Sequence, residues 1–86
     1  MTPAKLDSIT VWGKDKCGKC SAAAEKLDRL GLVYAKESMQ DVLDGLNWNH
    51  AALVEYAMSD GDLPIITIGD RGHTYSSAMK ILRKNS

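Results

Sequence analysis

The sequence predicts an α/β fold, and three observations carry that reading. An apolar run at residues 9–13 is followed within a few residues by a helical pattern. A β-branched run at residues 63–68 begins with Leu63-Pro64, and an amphipathic segment closes the chain. Strand-like and helix-like stretches alternate, as in βαβ units. With 86 residues, 44% of them hydrophobic, the chain fits a single domain spanning 1–86 with one modest core.

Residues 9–13 read as the first strand. From Lys19 the spacing changes: Cys20, Ala23/Ala24, Leu27 and Leu30 fall on one face of a helix. Glu25 and Arg29 form a favourable i,i+4 pair on its other side. Gly31 supplies a terminating residue that tolerates positive φ, and Leu32 is placed for the accompanying apolar contact. Residues 32–36 read as a second strand. Residues 38–48 are ambiguous, since Val42, Leu43 and Leu46 fit a helical turn that Gly45 and Asn47 weaken. Asn49 is a natural N-cap for a helix through Ala51, Ala52, Leu53, Val54, Ala57 and Met58.

Residues 59–62 (Ser-Asp-Gly-Asp) form a turn before the third strand. That strand lacks strict alternation, which predicts cover on both faces. Residues 69–72 turn the chain into a short strand at residues 73–75. Ser76 or Ser77 is then placed to cap a last helix carrying Met79, Ile81 and Leu82, with Arg83 and Lys84 suited to its final turn. The order is strand, helix, strand, helix, strand, strand, helix. Residues 1–7 read as a flexible N-terminal segment without the apolar core of a signal peptide.

The chemistry concentrates in Cys17-Gly18-Lys19-Cys20. A strand that delivers a Cys-x-x-Cys pair to a helix start is the arrangement of a dithiol redox centre. Unpaired backbone N–H groups at a helix start favour a thiolate over a thiol. Lys14, Lys16 and Lys19 add positive charge there, opposed only by Asp15. A free thiol of pKa ~8.5 is about 3% ionised at neutral pH, and surroundings of this kind can bring a thiol to ~7 or below. Thiolate fraction rises about 15-fold over that interval while nucleophilicity falls roughly fivefold, so attack gains about threefold and the sulfur also leaves more readily. This favours exchange over permanent bridging. The helical stripe places Cys20 on the sheltered side as resolving thiol and Cys17 at the helix mouth as attacking thiol.

Composition excludes several other classes. The 11 basic and 11 acidic residues balance, so there is no surplus for a broad nucleic-acid face. The basic cluster at the cysteines suits a small anion or an acidic docking surface. No apolar run approaches the ~18 residues of a membrane span. The only two cysteines are a Cys-x-x-Cys pair, whose four-residue ring constrains almost nothing globally, so the expected compartment is a reducing cytoplasm. Two Cys and two His match a zinc ligand count, but His50 and His73 lie much further apart than the three to five or so residues of a zinc finger. Trp12, Met39 and Met58 read as packing, His50 as surface, and His73 and Tyr75 as part of a short edge strand.

The element order, with Cys17-Gly18-Lys19-Cys20 opening the first helix and Leu63-Pro64 opening the third strand, resembles the thioredoxin fold in its small glutaredoxin-like form, from Ile9 to Leu82. The resemblance implies a central four-stranded mixed sheet flanked by helices. It also implies a cis Leu63–Pro64 bond lying against the cysteines, with Leu63 backbone groups presented to an incoming disulfide. The activity implied is dithiol–disulfide exchange by a monomer that binds no cofactor. Lys14 matches the lysine that precedes the motif in glutathione-dependent glutaredoxins. Asp15 stands where those proteins have proline, Gly18-Lys19 where they have Pro-Tyr, and no Gly-Gly or carboxylate follows Tyr75.

In pattern the chain is closest to NrdH-redoxins, through Asp62-Leu63-Pro64-Ile65-Ile66 and the following Gly69-Asp70. That branch implies electrons from thioredoxin reductase and delivery to a protein disulfide such as that of ribonucleotide reductase. Glutathione-dependent chemistry is the alternative within the family. A metal-binding domain, including a dimer bridged by an iron–sulfur cluster, is the alternative of another class; with two thiols per chain it would need two chains or external thiols.

Overall fold

A computed structural model describes residues 8–14 and 16–84. The expectations for residues 1–7 and for Asp15 lie outside them. Eight elements follow one another: β1 (Ile9–Gly13), α1 (Gly18–Arg29), β2 (Ala35–Ser38), α2 (Met39–Leu43), α3 (His50–Met58), β3 (Ile65–Ile68), β4 (Arg71–Thr74) and α4 (Tyr75–Lys84). The strands form one sheet in the order β2-β1-β3-β4. β1 runs parallel to β2 and antiparallel to β3, and β3 is antiparallel to β4. The architecture is α/β, with a four-stranded mixed sheet flanked by helices.

Alternation along the strands divides the core between the two faces of the sheet. Ile9, Val11 and Ile66 pack with Ala23 and Leu27 of α1 and with Ala78, Met79 and Leu82 of α4. Trp12 and Ile65 turn to the opposite face and meet Met39 and Val42 of α2 and Ala52 of α3. The β1–β3 register pairs like with like: Val11 opposes Ile66, and Trp12 opposes Ile65. β3 is buried at Ile65, Ile66 and Thr67, which explains its unbroken β-branched run.

Local signals fix the helix ends. Cys17 is the N-cap of α1, and Asn49 caps α3 by accepting the Ala52 N–H at 2.9 Å. Gly31, at φ +73°, terminates α1 in the paired-bond form of a C-terminal cap. Its N–H donates to the Asp28 carbonyl while the Leu32 N–H reaches the Leu27 carbonyl. The Tyr34 phenol is held above its ordinary value by burial first, then by its hydrogen bond to Asp28 and that carboxylate's charge.

Several boundaries depart from the sequence reading. The second strand is not at 32–36 but at Ala35–Ser38, because Leu32 is consumed by the cap of α1 and the parallel register with β1 begins at Ala35. The ambiguous 38–48 stretch holds a short helix, α2, capped by Ser38, whose Oγ accepts the Asp41 N–H. It adds an element to the expected order. The last strand starts at Arg71, two residues early, since the turn needs only Gly69-Asp70. α4 begins at Tyr75, so Ser76 and Ser77 lie within its first turn rather than at its cap. Met58 is 76% exposed at the end of α3 and is not a packing residue. No helix among the described residues is long and apolar enough to cross a membrane.

One buried polar contact bonds β1 to β3 through their side chains. The Trp12 indole N–H donates to Thr67 Oγ1 at 2.9 Å, with Trp12 and Thr67 both buried. Thr67→Val keeps the shape and leaves that N–H without an acceptor, a cost of about 1–3 kcal/mol. Urea unfolding should show a lower midpoint at unchanged slope. An unaltered midpoint would mean the bond contributes nothing net.

Candidate functional site

β1 ends at Gly13, and the chain then turns sharply to enter α1. Lys16 makes the turn in the left-handed region, at φ +58°, and Cys17 follows in extended conformation as the N-cap. The Cys17 sulfur accepts the Cys20 N–H at 3.2 Å, taking the place of the usual capping oxygen. Cys17 and Cys20 are joined as a disulfide, with Cα atoms 5.2 Å apart. The capping bond and the disulfide link the same two residues at the start of a 12-residue helix. Partial positive charge from the unpaired N–H groups is therefore directed at Cys17 Sγ.

Gly13 determines how closely the pair approaches the sheet. A β-carbon there would stand 2.7 Å from Cys20 Sγ and 3.0 Å from its Cβ, so only glycine admits the sulfur. Gly18 differs: an added β-carbon meets nothing within 4 Å. Cys20 was expected on the sheltered side of α1, with Cys17 open. Both are half-buried, and what separates them is position, Cys17 at the cap and Cys20 against β1.

The pair borders a cavity of about 550 Å³. Its floor is the carboxyl end of the β1–β2 pair, formed by Val11, Gly13, Lys36 and Ser38; one wall is the first turn of α1, with Cys17, Cys20 and Ser21. Lys14 and Lys16, both exposed, stand at the rim. The structure thus gathers Lys14, Cys17 and Cys20 in one place and adds Lys36, which sequence reasoning missed. The missed signal was register: β2 pairs Lys36 with Val11 and Ser38 with Gly13, carrying that lysine to the face on which α1 lies.

Lys19 is exposed and outside the cavity lining. Leu63 and Pro64 lie at the entrance to β3, and the peptide bond between them is cis. Pro64 is buried, and Leu63 packs on the Trp12 cluster. One step beyond the Trp12–Ile65 pair, the same register sets Pro64 opposite Gly13, at the end of the sheet that holds the cysteines. Neither residue lines the cavity. His50 is exposed, while His73 and Tyr75 are half-buried on β4 and α4. Among the described residues no three His, Cys, Asp or Glu side chains come together to hold a metal ion. Comparison with protein families, with curated proteins and with solved structures finds no match to this chain.

The two glycines give a paired test. Gly13→Ala overpacks a closed contact, at a cost of about 1–3 kcal/mol, and should slow Cys17–Cys20 disulfide closure roughly 5- to 150-fold. Gly18→Ala should close normally and gain about 0.4–1 kcal/mol in stability. Timed acid quench and mass counting of alkylated thiols would report both. Equal closure in the two variants would remove Gly13 from the site.

Proposed function

We propose that the protein is a dithiol–disulfide oxidoreductase of thioredoxin-like, glutaredoxin-type fold, closest in character to the NrdH-redoxins. The observation that carries this reading is Cys17 as sulfur N-cap of α1, disulfide-bonded to Cys20 beside an open cavity with lysines at its rim. The strand order, the parallel β1–β2 unit and the cis-proline entrance to β3 agree with it.

In the reduced protein Cys17 thiolate attacks one sulfur of a substrate disulfide. A Cys17–substrate disulfide forms, and the other substrate sulfur departs as thiolate and takes up a proton. Cys20, deprotonated, then attacks Cys17 Sγ, closing the Cys17–Cys20 disulfide and releasing the second substrate thiol. Two electrons pass from the dithiol to the substrate, which also gains two protons. An external dithiol reductase returns the two electrons. Lys14 at the cavity rim stabilises the attacking thiolate, and the Leu63 backbone beside Pro64 offers hydrogen bonds to the substrate strand. The working protein is a monomer with no bound cofactor, and its substrate is a protein disulfide, ribonucleotide reductase being the leading candidate.

Cys17 is the first thiol to react. Cys20→Ser should therefore accumulate a stable Cys17–substrate disulfide, whereas Cys17→Ser should give none and lose turnover altogether. Mass spectrometry of the quenched variants checks this. Trapping on Cys20 in the Cys17→Ser protein would reverse the roles.

The electron source follows from missing contacts. No carboxylate follows Tyr75 in α4 to hold the glutathione α-amino group. A lost charged hydrogen bond weakens binding by ~1.5–3 kcal/mol, roughly 10- to 150-fold. Turnover should be fast with thioredoxin reductase and slow with glutathione and glutathione reductase. Rapid glutathione-coupled turnover, with thioredoxin reductase inactive, would transfer the protein to the glutathione-dependent branch.

A further inference from the structure

The cavity beside the cysteines has a charge pattern that the exchange chemistry does not require. Lys36 enters it from β2, a strand that forms no part of the Cys-x-x-Cys turn. Lys14, Lys16 and Lys36 are all exposed, and none is in an ion pair among the described residues. Glu37 is the one acidic side chain among the described lining residues, and it does not neutralise them. Register pairs Glu37 with Trp12, which turns its side chain to the opposite face of the sheet. There its carboxylate accepts a hydrogen bond from Asn47 Nδ2 at 3.5 Å.

Topology places a binding crevice here independently of charge. β1 leads into α1 on one face and β2 leads into α2 on the other, so the connections diverge at the adjacent carboxyl ends of two parallel strands. Such a switch point is where open α/β sheets bind their ligands. At about 550 Å³ the cavity is within the usual range for bound ligands, and its lysines extend from the turn before Cys17 across to the outer strand.

We propose that this groove receives an acidic stretch of the polypeptide that carries the substrate disulfide, so that the protein selects disulfides flanked by Asp or Glu. This rests on the exchange reading above and adds the class of substrate. Carboxylates beside the substrate cysteine meet Lys16 and Lys14 at the rim and Lys36 on the floor, which sets the scissile disulfide against Cys17. The contacts are solvent-exposed, so each is modest and salt-sensitive.

The test uses single turnover of the reduced protein on synthetic peptides. In each, a central cysteine is capped as a mixed disulfide with 2-mercaptoethanol and flanked by Asp in one series and by Asn in the other. Each rate is divided by that peptide's rate with dithiothreitol, which removes intrinsic reactivity. The Asp peptide should react about fivefold faster at low ionic strength, and the preference should fade toward unity in ~1 M salt. Lys36→Gln should cut the preference about two- to fivefold, and Lys36→Glu should invert it. Lys36 is exposed on an edge strand, so both variants should fold.

Equal rates for the two peptides overturn the proposal, as does an Asp preference that survives Lys36→Gln and Lys16→Gln. The mixed disulfide of glutathione with 2-mercaptoethanol forms a third arm. If it gains as much as the Asp peptide, with the same dependence on Lys36, the groove holds a small anion and the polypeptide assignment is wrong. If neither peptide reacts faster than with Cys17→Ser protein, the exchange reading fails and takes this proposal with it.

Discussion

β1 is paired along both edges and covered on both faces, and the placement of the cysteines depends on it. Its antiparallel register with β3 is held by Val11 against Ile66 on one face and Trp12 against Ile65 on the other. The Trp12–Thr67 bond joins the same two strands through side chains. A slip of one residue would exchange the faces and put Trp12 among the residues that α1 and α4 cover. With β1 fixed, Gly13 is fixed, and Gly13 is the residue against which Cys20 Sγ rests. The site therefore inherits its position from a central strand paired on both edges.

The two faces contribute differently. α1 and α4 cover the face on which the cysteines and the cavity floor lie, while α2 and α3 cover the other. Gly72 allows close packing on that second face, since a β-carbon there would stand 2.5 Å from the Ala51 carbonyl oxygen of α3. β2 is the outer strand beside the cavity and is exposed at Ala35, Lys36 and Glu37. Alternation on this one strand sends a lysine toward the cysteines and a carboxylate away from them. The separation of charge at the groove follows from a two-residue period and needs no further device.

Much of this was legible in the sequence because the signals were local. The Gly31–Leu32 cap, the Asn49 cap and the Leu63-Pro64 entrance each depend on residues within a few positions of one another. Cys17 at a helix mouth was readable for the same reason. The failures share the opposite cause. β2 has no apolar face of its own, so its limits are set by pairing with β1, and Leu32-Val33-Tyr34 looked more strand-like than Ala35–Ser38. α2 is five residues long and survives through the burial of Met39 and Val42, which propensity cannot show. Met58 is apolar yet exposed, and composition alone could not separate it from Met39. Lys36 went unnoticed because its nearness to Cys17 is a product of strand order.

The same geometry bears on what the Cys17–Cys20 bond contributes. It closes a ring across a sequence separation of 3, at a helix start where the backbone is already hydrogen-bonded from Ser21 N–H to the Cys17 carbonyl. Cross-links gain stability with the length of loop they close, so this one restrains little of the unfolded chain. Opening it also leaves α1 with a cap. A thiolate at Cys17 remains placed to accept the Cys20 N–H, and a charged acceptor forms a bond roughly twice as strong as a neutral one. In the oxidised protein the sulfur is neutral and the covalent bond supplies the restraint. In the dithiol form that the proposed exchange requires, the covalent restraint would be gone, and ionisation of Cys17 would strengthen the cap. In the proposed exchange cycle one sulfur would thus cap the helix in both states.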